Sequence, residues 1–161
     1  MKRSLLLILI VAGIAFSAGA QAMNTSVNTR AKFKSLFMYK FAQSTEWPEA
    51  YKKGDFVIAV VNDDDLAKEL EAAAKNKSIN SQTVVVKSHK TSDEVGKCHI
   101  LYISGKSTSE VEPYFNKAKQ YSTLIITEAP GLLEKYSAIN FIVAGNLIRY
   151  EMNRKLFKDQ G

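Results

Sequence analysis

Three consecutive aspartates at residues 63–65 form the densest group of chemically competent side chains in the sequence. They follow an apolar run at residues 56–61, so they stand where a strand of a parallel sheet would end. An acidic cluster in that place could bind the metal ion that assists phosphorylation in receiver domains. That chemistry also needs a phosphoacceptor aspartate after the central strand, where residues 104–106 are Ser-Gly-Lys. The pattern therefore favours capping of the next helix by Asn62 or Asp63.

The single cysteine, Cys98, and the two histidines, His89 and His99, are the other candidate ligands and nucleophiles. A zinc site needs three or four clustered ligands, so no metal site is predicted. One cysteine excludes an internal disulfide. Because Cys98 stands just before an apolar strand, we expect a small buried residue, with a reactive or intermolecular thiol as the alternative. No constellation of nucleophile, base and orienting group is recognisable, so we predict neither an enzyme nor a cofactor.

The first 22 residues have the order of an export signal. Lys2 and Arg3 are basic, residues 4–16 are apolar, and residues 20–22 are Ala-Gln-Ala. This order predicts cleavage after Ala22, since a small-residue motif follows the apolar stretch. We therefore expect residues 1–22 to be a signal peptide and residues 23–161 to be one exported domain. A retained membrane anchor is the alternative.

The charge of the chain argues against nucleic acid as a partner. The 161 residues carry a formal net charge of +6, and removal of Lys2 and Arg3 lowers it by two, to +4. The basic residues are spread along the chain, with no dense patch and no nucleic-acid-binding motif. At this length, one domain can bury about two-thirds of its unfolded surface.

The stretch at residues 97–104 predicts the middle strand, because its apolar run at residues 100–103 has no polar face. Such a strand must be covered on both sides, which is typical of a parallel sheet between helices. Strands are also predicted at residues 56–61, 83–87 and 123–127, and helices at residues 29–45, 64–77, 92–95, 107–120 and 132–136. The alternation predicts an α/β fold, a single three-layer domain with a mostly parallel central sheet flanked by helices.

The ends of the domain have their own patterns. In the first helix we expect an apolar stripe in the core and basic residues on the surface: Phe33, Leu36, Phe37 and Phe41 inside, and Arg30, Lys32, Lys34 and Lys40 outside. Residues 139–144 and 147–152, separated by Gly-Asn, predict a closing antiparallel β-hairpin. Its second strand should direct Ile148, Tyr150 and Met152 to the core and Arg149 and Glu151 to solvent.

Several ordered motifs together resemble the YfiR-like family of periplasmic regulatory proteins. The resemblance covers residues 31–153 and rests on the helix at residues 34–41 leading into Glu-Trp-Pro, the strand at residues 98–104, and the two segments at residues 139–141 and 148–153. The motif positions, which we interpret as mainly structural, are Phe41, Trp47, Pro48, Cys98, His99, Asn140, Phe141, Arg149, Glu151 and Asn153.

The resemblance implies a function in cyclic di-GMP signalling. It implies a periplasmic protein that inhibits a membrane-anchored diguanylate cyclase by binding its periplasmic sensor domain. An outer-membrane lipoprotein would draw the inhibitor away, and the inhibitor would tend to form a homodimer. The alternative is a periplasmic small-ligand-binding module serving another transmembrane sensor, with a crevice at the strand ends near Asn62, Ser104 and Thr127.

Overall fold

The computed structural model describes residues 18–145 and 147–160. Within them the helices are α1 (Ala18–Ser44), α2 (Asp64–Ala74), α3 (Thr108–Ala118) and α4 (Arg154–Gln160), with 3₁₀ turns at Glu49–Tyr51 and Ser92–Glu94. The strands are β1 (Phe56–Val61), β2 (Ser78–Ile79), β3 (Gln82–His89), β4 (Ile100–Ile103), β5 (Leu124–Thr127), β6 (Ile139–Ala144) and β7 (Leu147–Met152). None of these helices combines the length and the apolar composition that crossing a membrane requires.

The described strands form one sheet in the order β2-β3-β1-β4-β5-β6-β7. The pairs from β3 to β6 are parallel, and the outer pairs β2–β3 and β6–β7 are antiparallel. Strand β4 lies in the middle, as its uninterrupted apolar run predicts. The expectation of an α/β fold with a mostly parallel sheet and helices is confirmed.

Alternate residues of the central strands enter two separate cores, because successive side chains of a strand point to opposite faces. One core packs against α1 and α2 and includes Ile58, Val60, Ile100 and Tyr102. The other packs against α3 and the segment after β5 and includes Ala59, Val61, Leu101 and Ile103. The strands are apolar throughout because both faces are covered.

The segment at residues 78–81, for which no strand was predicted, contains the short strand β2. Ser78 pairs with Thr83, and Ile79 with Gln82. Asn80 and Ser81 between them have φ values of 50° and 69°, the left-handed conformation that tight hairpin turns require. Two residues of strand are too few for a periodic signal, which is why the pattern did not reveal it.

Helix α1 is longer than predicted, and a different face of it is buried. Within the described residues it extends from Ala18, before the predicted cleavage point, and residues 1–17 of the predicted signal peptide lie outside the described residues. Phe33 and Leu36 are 46% and 51% exposed, whereas Lys34 is only 6% exposed. Between residues 29 and 44 the buried positions of the helix are Ala31, Lys34, Ser35, Met38, Phe41 and Ala42. The predicted burial is therefore wrong at Phe33, Lys34 and Leu36. Ionic partners stabilise the lysine in the interior.

The outermost strand, β7, is also more open than predicted. Ile148 packs against the α1 core, but Tyr150 and Met152 on the same face remain 43% and 39% exposed. Glu151, expected to be a solvated residue, is half-buried and accepts a hydrogen bond from Asn140. The differences arise because β7 is the last of the described strands in the sheet and pairs with β6 on one side.

Candidate functional site

A cleft of about 350 Å³ lies at the carboxyl ends of β1, β4 and β5, where ligands of open parallel sheets usually bind. We call it the carboxyl-end cleft. Its lining is rich in charge of both signs: Arg30, Ala31, Lys34, Asp63, Asp65, Ser104, Gly105, Lys106, Glu128 and Val143. Of the three strand-end residues predicted to line a crevice, Ser104 does so. Asn62 is absent from the lining, and Thr127 is fully buried behind it.

Lys34 is the centre of this cleft. Its Nζ lies 3.2 Å from Asp63 Oδ2, 2.6 Å from Glu128 Oε2, and 2.9 Å from the Tyr102 hydroxyl, to which it donates. The contact with Glu128 is an ion pair whose geometry leaves Oε2 without a hydrogen bond. Three oxygens thus compensate a cation that would otherwise be costly to bury.

Each partner of Lys34 is positioned by its own element. Asp63 is the N-cap of α2, and its Oδ1 accepts from the backbone N–H of Leu66 at 3.0 Å while Oδ2 faces Lys34. Tyr102 points from the middle strand toward α1, and Glu128 directly follows β5. The sheet therefore brings residues that are distant in sequence to one amine.

The Tyr102 hydroxyl of the cleft is held in its neutral form. Burial, reinforced by the nearby carboxylates of Glu128 and Asp63, raises the pKa of Tyr102 well above its usual value, so its hydroxyl stays neutral. A hydroxyl held neutral in this way has little tendency to act as a base or nucleophile. Within the described residues, no three or more His, Cys, Asp or Glu side chains are grouped to hold a metal ion.

The predicted motif residues near Trp47 lie at the opposite end of the sheet. The indole of Trp47 donates to Ala42 O at 3.1 Å and packs edge-on against His99 at 5.1 Å between ring centroids. His99 Nδ1 accepts from the backbone N–H of Val57 at 3.1 Å, so Nε2 carries the proton and donates to Tyr51 O at 2.8 Å. Burial lowers the pKa of His99. The ring is a neutral link between β1 and the 3₁₀ turn that follows Pro48.

Cys98 is buried, and its carbonyl accepts a hydrogen bond from the Thr123 hydroxyl at 2.8 Å. Burial raises the pKa of its thiol to about 12. Since the thiolate is the reactive form, this cysteine is poorly suited to redox or nucleophilic chemistry in the folded protein.

A chain of hydrogen bonds links Asn140 to both neighbouring strands. Thr127 Oγ1 lies 2.7 Å from the Ser137 hydroxyl and donates to Asn140 Oδ1 at 2.8 Å, and Asn140 Nδ2 donates to Glu151 Oε1 at 2.9 Å. Asn153 then caps α4, because its Oδ1 accepts from the backbone N–H of Leu156 at 3.2 Å. The polar motif residues of this region fix how β5, β6 and β7 meet.

The aromatic motif residues join α1 to the same strands. Phe41 and Phe141 are buried with ring centroids 6.3 Å apart, and Phe41 meets Tyr150 edge-on at 4.9 Å. Phe37 lies 5.5 Å from Tyr150. Arg149 is the one motif residue of β7 that is exposed on the far face from α1.

An exposed apolar surface surrounds these contacts, and we call it the edge patch. Arg30 donates to Gly145 O at 2.9 Å one turn before Phe33 along α1, and Phe37 touches Tyr150 one turn after it. Phe33 therefore stands beside β7. The patch consists of the exposed apolar residues on the side of α1: Phe33 and Leu36 on α1, Val143 on β6, and Tyr150 and Met152 on β7. Exposed apolar side chains grouped on one face in this way mark interaction surfaces.

The description of the family whose model matches residues 31–161 is YfiR/HmsC-like. The chain belongs to the YfiR/HmsC-like family. No curated protein matches the chain. YfiR/HmsC-like proteins are periplasmic regulators rather than enzymes.

Sequence reasoning predicted a crevice at the strand ends of this YfiR/HmsC-like chain but missed its buried lysine and the edge patch. One sequence feature could have indicated that Lys34 is buried. Lys34 is in helical register with three buried residues, Ala31, Met38 and Phe41. The partner at Glu128 had no local signal, because the sheet alone brings it to the lysine. The edge patch was hidden by the rule that large apolar residues of an amphipathic helix lie inside.

Proposed function

We propose that this protein is an exported inhibitor that binds the periplasmic sensor domain of a membrane-anchored diguanylate cyclase. The observation that carries the proposal is the family match over residues 31–161, because the YfiR/HmsC-like family is regulatory. The proposal includes cleavage after Ala22, which would leave residues 23–161 as a three-layer domain closed by the β6–β7 hairpin. An outer-membrane lipoprotein is the proposed antagonist that removes the inhibitor from the cyclase.

The α1 half of the edge patch is the surface we assign to the cyclase. Phe33 and Leu36 are about half exposed, and Lys32 and Lys40 are exposed on the same helix. An apolar centre with a basic rim fits a partner surface that is apolar with an acidic border. Binding there needs no reaction. A difference in affinity of ~2.7 kcal/mol between the inactive and active forms of the cyclase shifts its equilibrium about a hundredfold.

Deletion of the gene tests the proposal in the cell. We expect deletion to raise cyclic di-GMP and surface attachment, and the exported protein supplied in trans to reverse both. A version without residues 1–22 should fail, because it never reaches the periplasm. Unchanged cyclic di-GMP in the deletion strain, under conditions where the wild-type strain makes the protein, would refute the cyclase proposal.

A surface variant tests the assignment of α1. Leu36→Glu should release the cyclase and raise cyclic di-GMP, because it places a charge in the centre of the apolar face. Ala72→Glu is the matched control, since Ala72 is exposed on α2 and away from the patch. Both proteins must accumulate in the periplasm to equal levels. Full repression by Leu36→Glu would remove this surface from the interaction.

A periplasmic small-ligand sensor remains the second candidate function, and the carboxyl-end cleft is the observation that favours it. Its volume of about 350 Å³ and its mixed charges suit a small polar molecule. A screen of periplasmic metabolites by thermal shift distinguishes the two. Stabilisation by a small molecule that disappears in Lys106→Ala, in a strain whose cyclic di-GMP ignores the protein, would favour the sensor.

A further inference from the structure

Strand β3 changes its pairing partner along its length. Its first two residues, Gln82 and Thr83, pair with the short strand β2, and residues 84–89 pair with β1. On the side away from β1, no described strand lies beside residues 84–89. These residues therefore form an open edge of the described sheet, and we call them the β3 edge.

The backbone groups of the β3 edge point alternately toward β1 and away from it. The carbonyl of His89 accepts from the backbone N–H of Asn62 at 3.2 Å, so the backbone groups of His89 face β1. Alternation along the strand then turns the N–H and C=O groups of Val86 and Ser88 outward. Among the described residues, neither has a backbone partner on that side. Unpaired groups of this kind are a template for another strand.

A groove of about 560 Å³ lies beside the β3 edge. Thr83, Val84 and Val86 form one wall, and Glu71 with residues 74–78, which lead from α2 into β2, forms the other. Val84 and Val86 are half-buried and pack against the α1 core. An extended segment in this groove would meet the outward backbone groups of the strand, and its alternate side chains would contact the two valines.

The charges of the groove limit what can enter it. Lys75 and Lys77 are exposed and have no ion pair among the described residues, and Glu71 is the acidic residue of the lining. Both lysines lie at the end of the groove beside Val84. A strand antiparallel to β3 has its carboxyl end there, so an acidic end fits and a parallel strand's ammonium end does not. A second copy of β3 would bring Lys87 toward these lysines instead.

We propose that the β3 edge binds an extended segment of another protein, which adds as an antiparallel strand and places acidic residues at its carboxyl end against Lys75 and Lys77. Main-chain hydrogen bonds to Val86 and Ser88 supply affinity, and the two lysines set the direction of the segment. The inference goes beyond the proposed function, because the cyclase is assigned to the edge patch. The β3 edge and the edge patch lie toward opposite ends of the strand order, so one molecule can hold both partners at once.

Amide hydrogen exchange of the protein purified from the periplasm, followed by NMR, tests the edge. In the free protein the amides of Val86 and Ser88 should exchange much faster than those of Val85 and Lys87, which face β1. A hexapeptide of alternating threonine and valine that ends in two glutamates should slow Val86 and Ser88 by about tenfold or more at saturation. Slow exchange of both in the free protein would overturn the proposal, because the edge would already be covered. Slowing that depends on protein concentration alone would assign the edge to a second copy and also overturn it.

Titrations with charge variants test the direction of the segment. The same peptide ending in two lysines should bind about tenfold more weakly or worse, and Lys75→Glu should weaken binding of the acidic peptide about tenfold. Lys119→Glu is the matched control, because Lys75 and Lys119 are both exposed lysines that follow the last residue of a helix, α2 and α3 respectively. It should bind the acidic peptide as the wild type does. Equal weakening by the two variants would mean general attraction of charge and would overturn the proposal.

Val86→Pro tests the main-chain pairing separately from charge. Proline removes the outward N–H but leaves the hydrogen bonds to β1, so the variant should stay folded and lose the peptide. Full binding by folded Val86→Pro would overturn the proposal, as would a wild type that does not bind the acidic peptide. If Val86→Pro unfolds, the pair Lys75→Glu and Lys119→Glu decides. None of these outcomes depends on the cyclase.

Discussion

Helix α1 places a charged side chain in the interior and two apolar side chains at the surface, all within four consecutive positions of its sequence. Lys34 is 6% exposed, while Phe33 and Leu36 are 46% and 51% exposed. The lysine is surrounded by three oxygens in the carboxyl-end cleft. No described element of this chain covers the two apolar residues in the edge patch.

The buried lysine of α1 has a role in the fold, whereas the exposed apolar residues of the same helix have a role in binding a partner. A buried charge that is fully compensated within the chain holds α1 against the ends of β1, β4 and β5. Exposed apolar side chains with nothing over them gain most from a second molecule. The ion pairs of the carboxyl-end cleft therefore hold α1 in place, and the exposed apolar residues of α1 in the edge patch form a surface that a partner can contact.

Lys34→Met should have the largest effect on stability. It removes the cation and leaves Asp63 and Glu128 without their ionic partner, at a cost of about 3 kcal/mol in the free energy of unfolding. We place it at the low end for buried ion pairs because the two carboxylate side chains are 18% and 23% exposed. Urea unfolding followed by circular dichroism measures the change.

Lys40→Met on the same helix is the control, since Lys40 is exposed and should change stability by no more than about 0.5 kcal/mol. Lys34→Met combined with Glu128→Gln should recover part of the loss, because one uncompensated charge is gone. Equal stability of Lys34→Met and Lys40→Met would contradict the role given to the cleft.

Replacement of His99 should have the second-largest effect on stability. His99→Phe keeps a ring but leaves the Val57 N–H and the Tyr51 carbonyl unpaired, which should cost about 2 kcal/mol. Burial lowers the pKa of the folded-state histidine below its unfolded value, so its contribution is present above pH ~6.5 and is lost as pH falls through the folded pKa. Unfolding midpoints from pH 7 downward should therefore fall more steeply for the wild type than for His99→Phe. Parallel curves would show that another group causes the acid sensitivity.

The sequence predicts the sheet better than it predicts the helix that covers it. Residues 56–61 and 100–103 contain only apolar side chains. A strand of that kind must be buried on both faces. Helix α1 has apolar and basic residues on several faces, so its orientation depends on its neighbours. The ion pair with Glu128 decides that Lys34 is inside, and a local pattern does not contain a residue 94 positions away.

The candidate surfaces show the same limit. The edge patch results from the place of β7 at the end of the sheet, which is a property of strand order and not of the strand's own alternation. Glu151 looked solvated for the same reason, since its partner Asn140 lies on the opposed strand. Capping by Asp63 was predictable because its signal is local.

Cys98→Ser should have a smaller effect, of about 1 kcal/mol, because a hydroxyl is buried less favourably than a thiol. With its pKa raised to about 12 by burial, the native thiol should react with a disulfide reagent far more slowly than the thiol of the urea-unfolded chain. Comparing the two rates, with free glutathione as reference, tests this. A native rate as fast as the unfolded one would make Cys98 a candidate redox sensor.

Leu36→Ala should have the smallest effect on stability and gives the clearest test of the comparison within α1. Leu36 is half exposed, so truncation should cost less than about 1 kcal/mol. Met38→Ala on the same helix is the contrast: Met38 is fully buried in the α1 core, and its truncation should cost about 2 kcal/mol or more. Urea unfolding of both variants measures the stability, and the cyclic di-GMP level in cells measures the recognition. We expect Met38→Ala to lose stability first and Leu36→Ala to lose repression while remaining as folded as the wild type. If Leu36→Ala instead unfolds as readily as Met38→Ala, the exposed face of α1 belongs to the fold, and the edge patch is not a surface reserved for a partner.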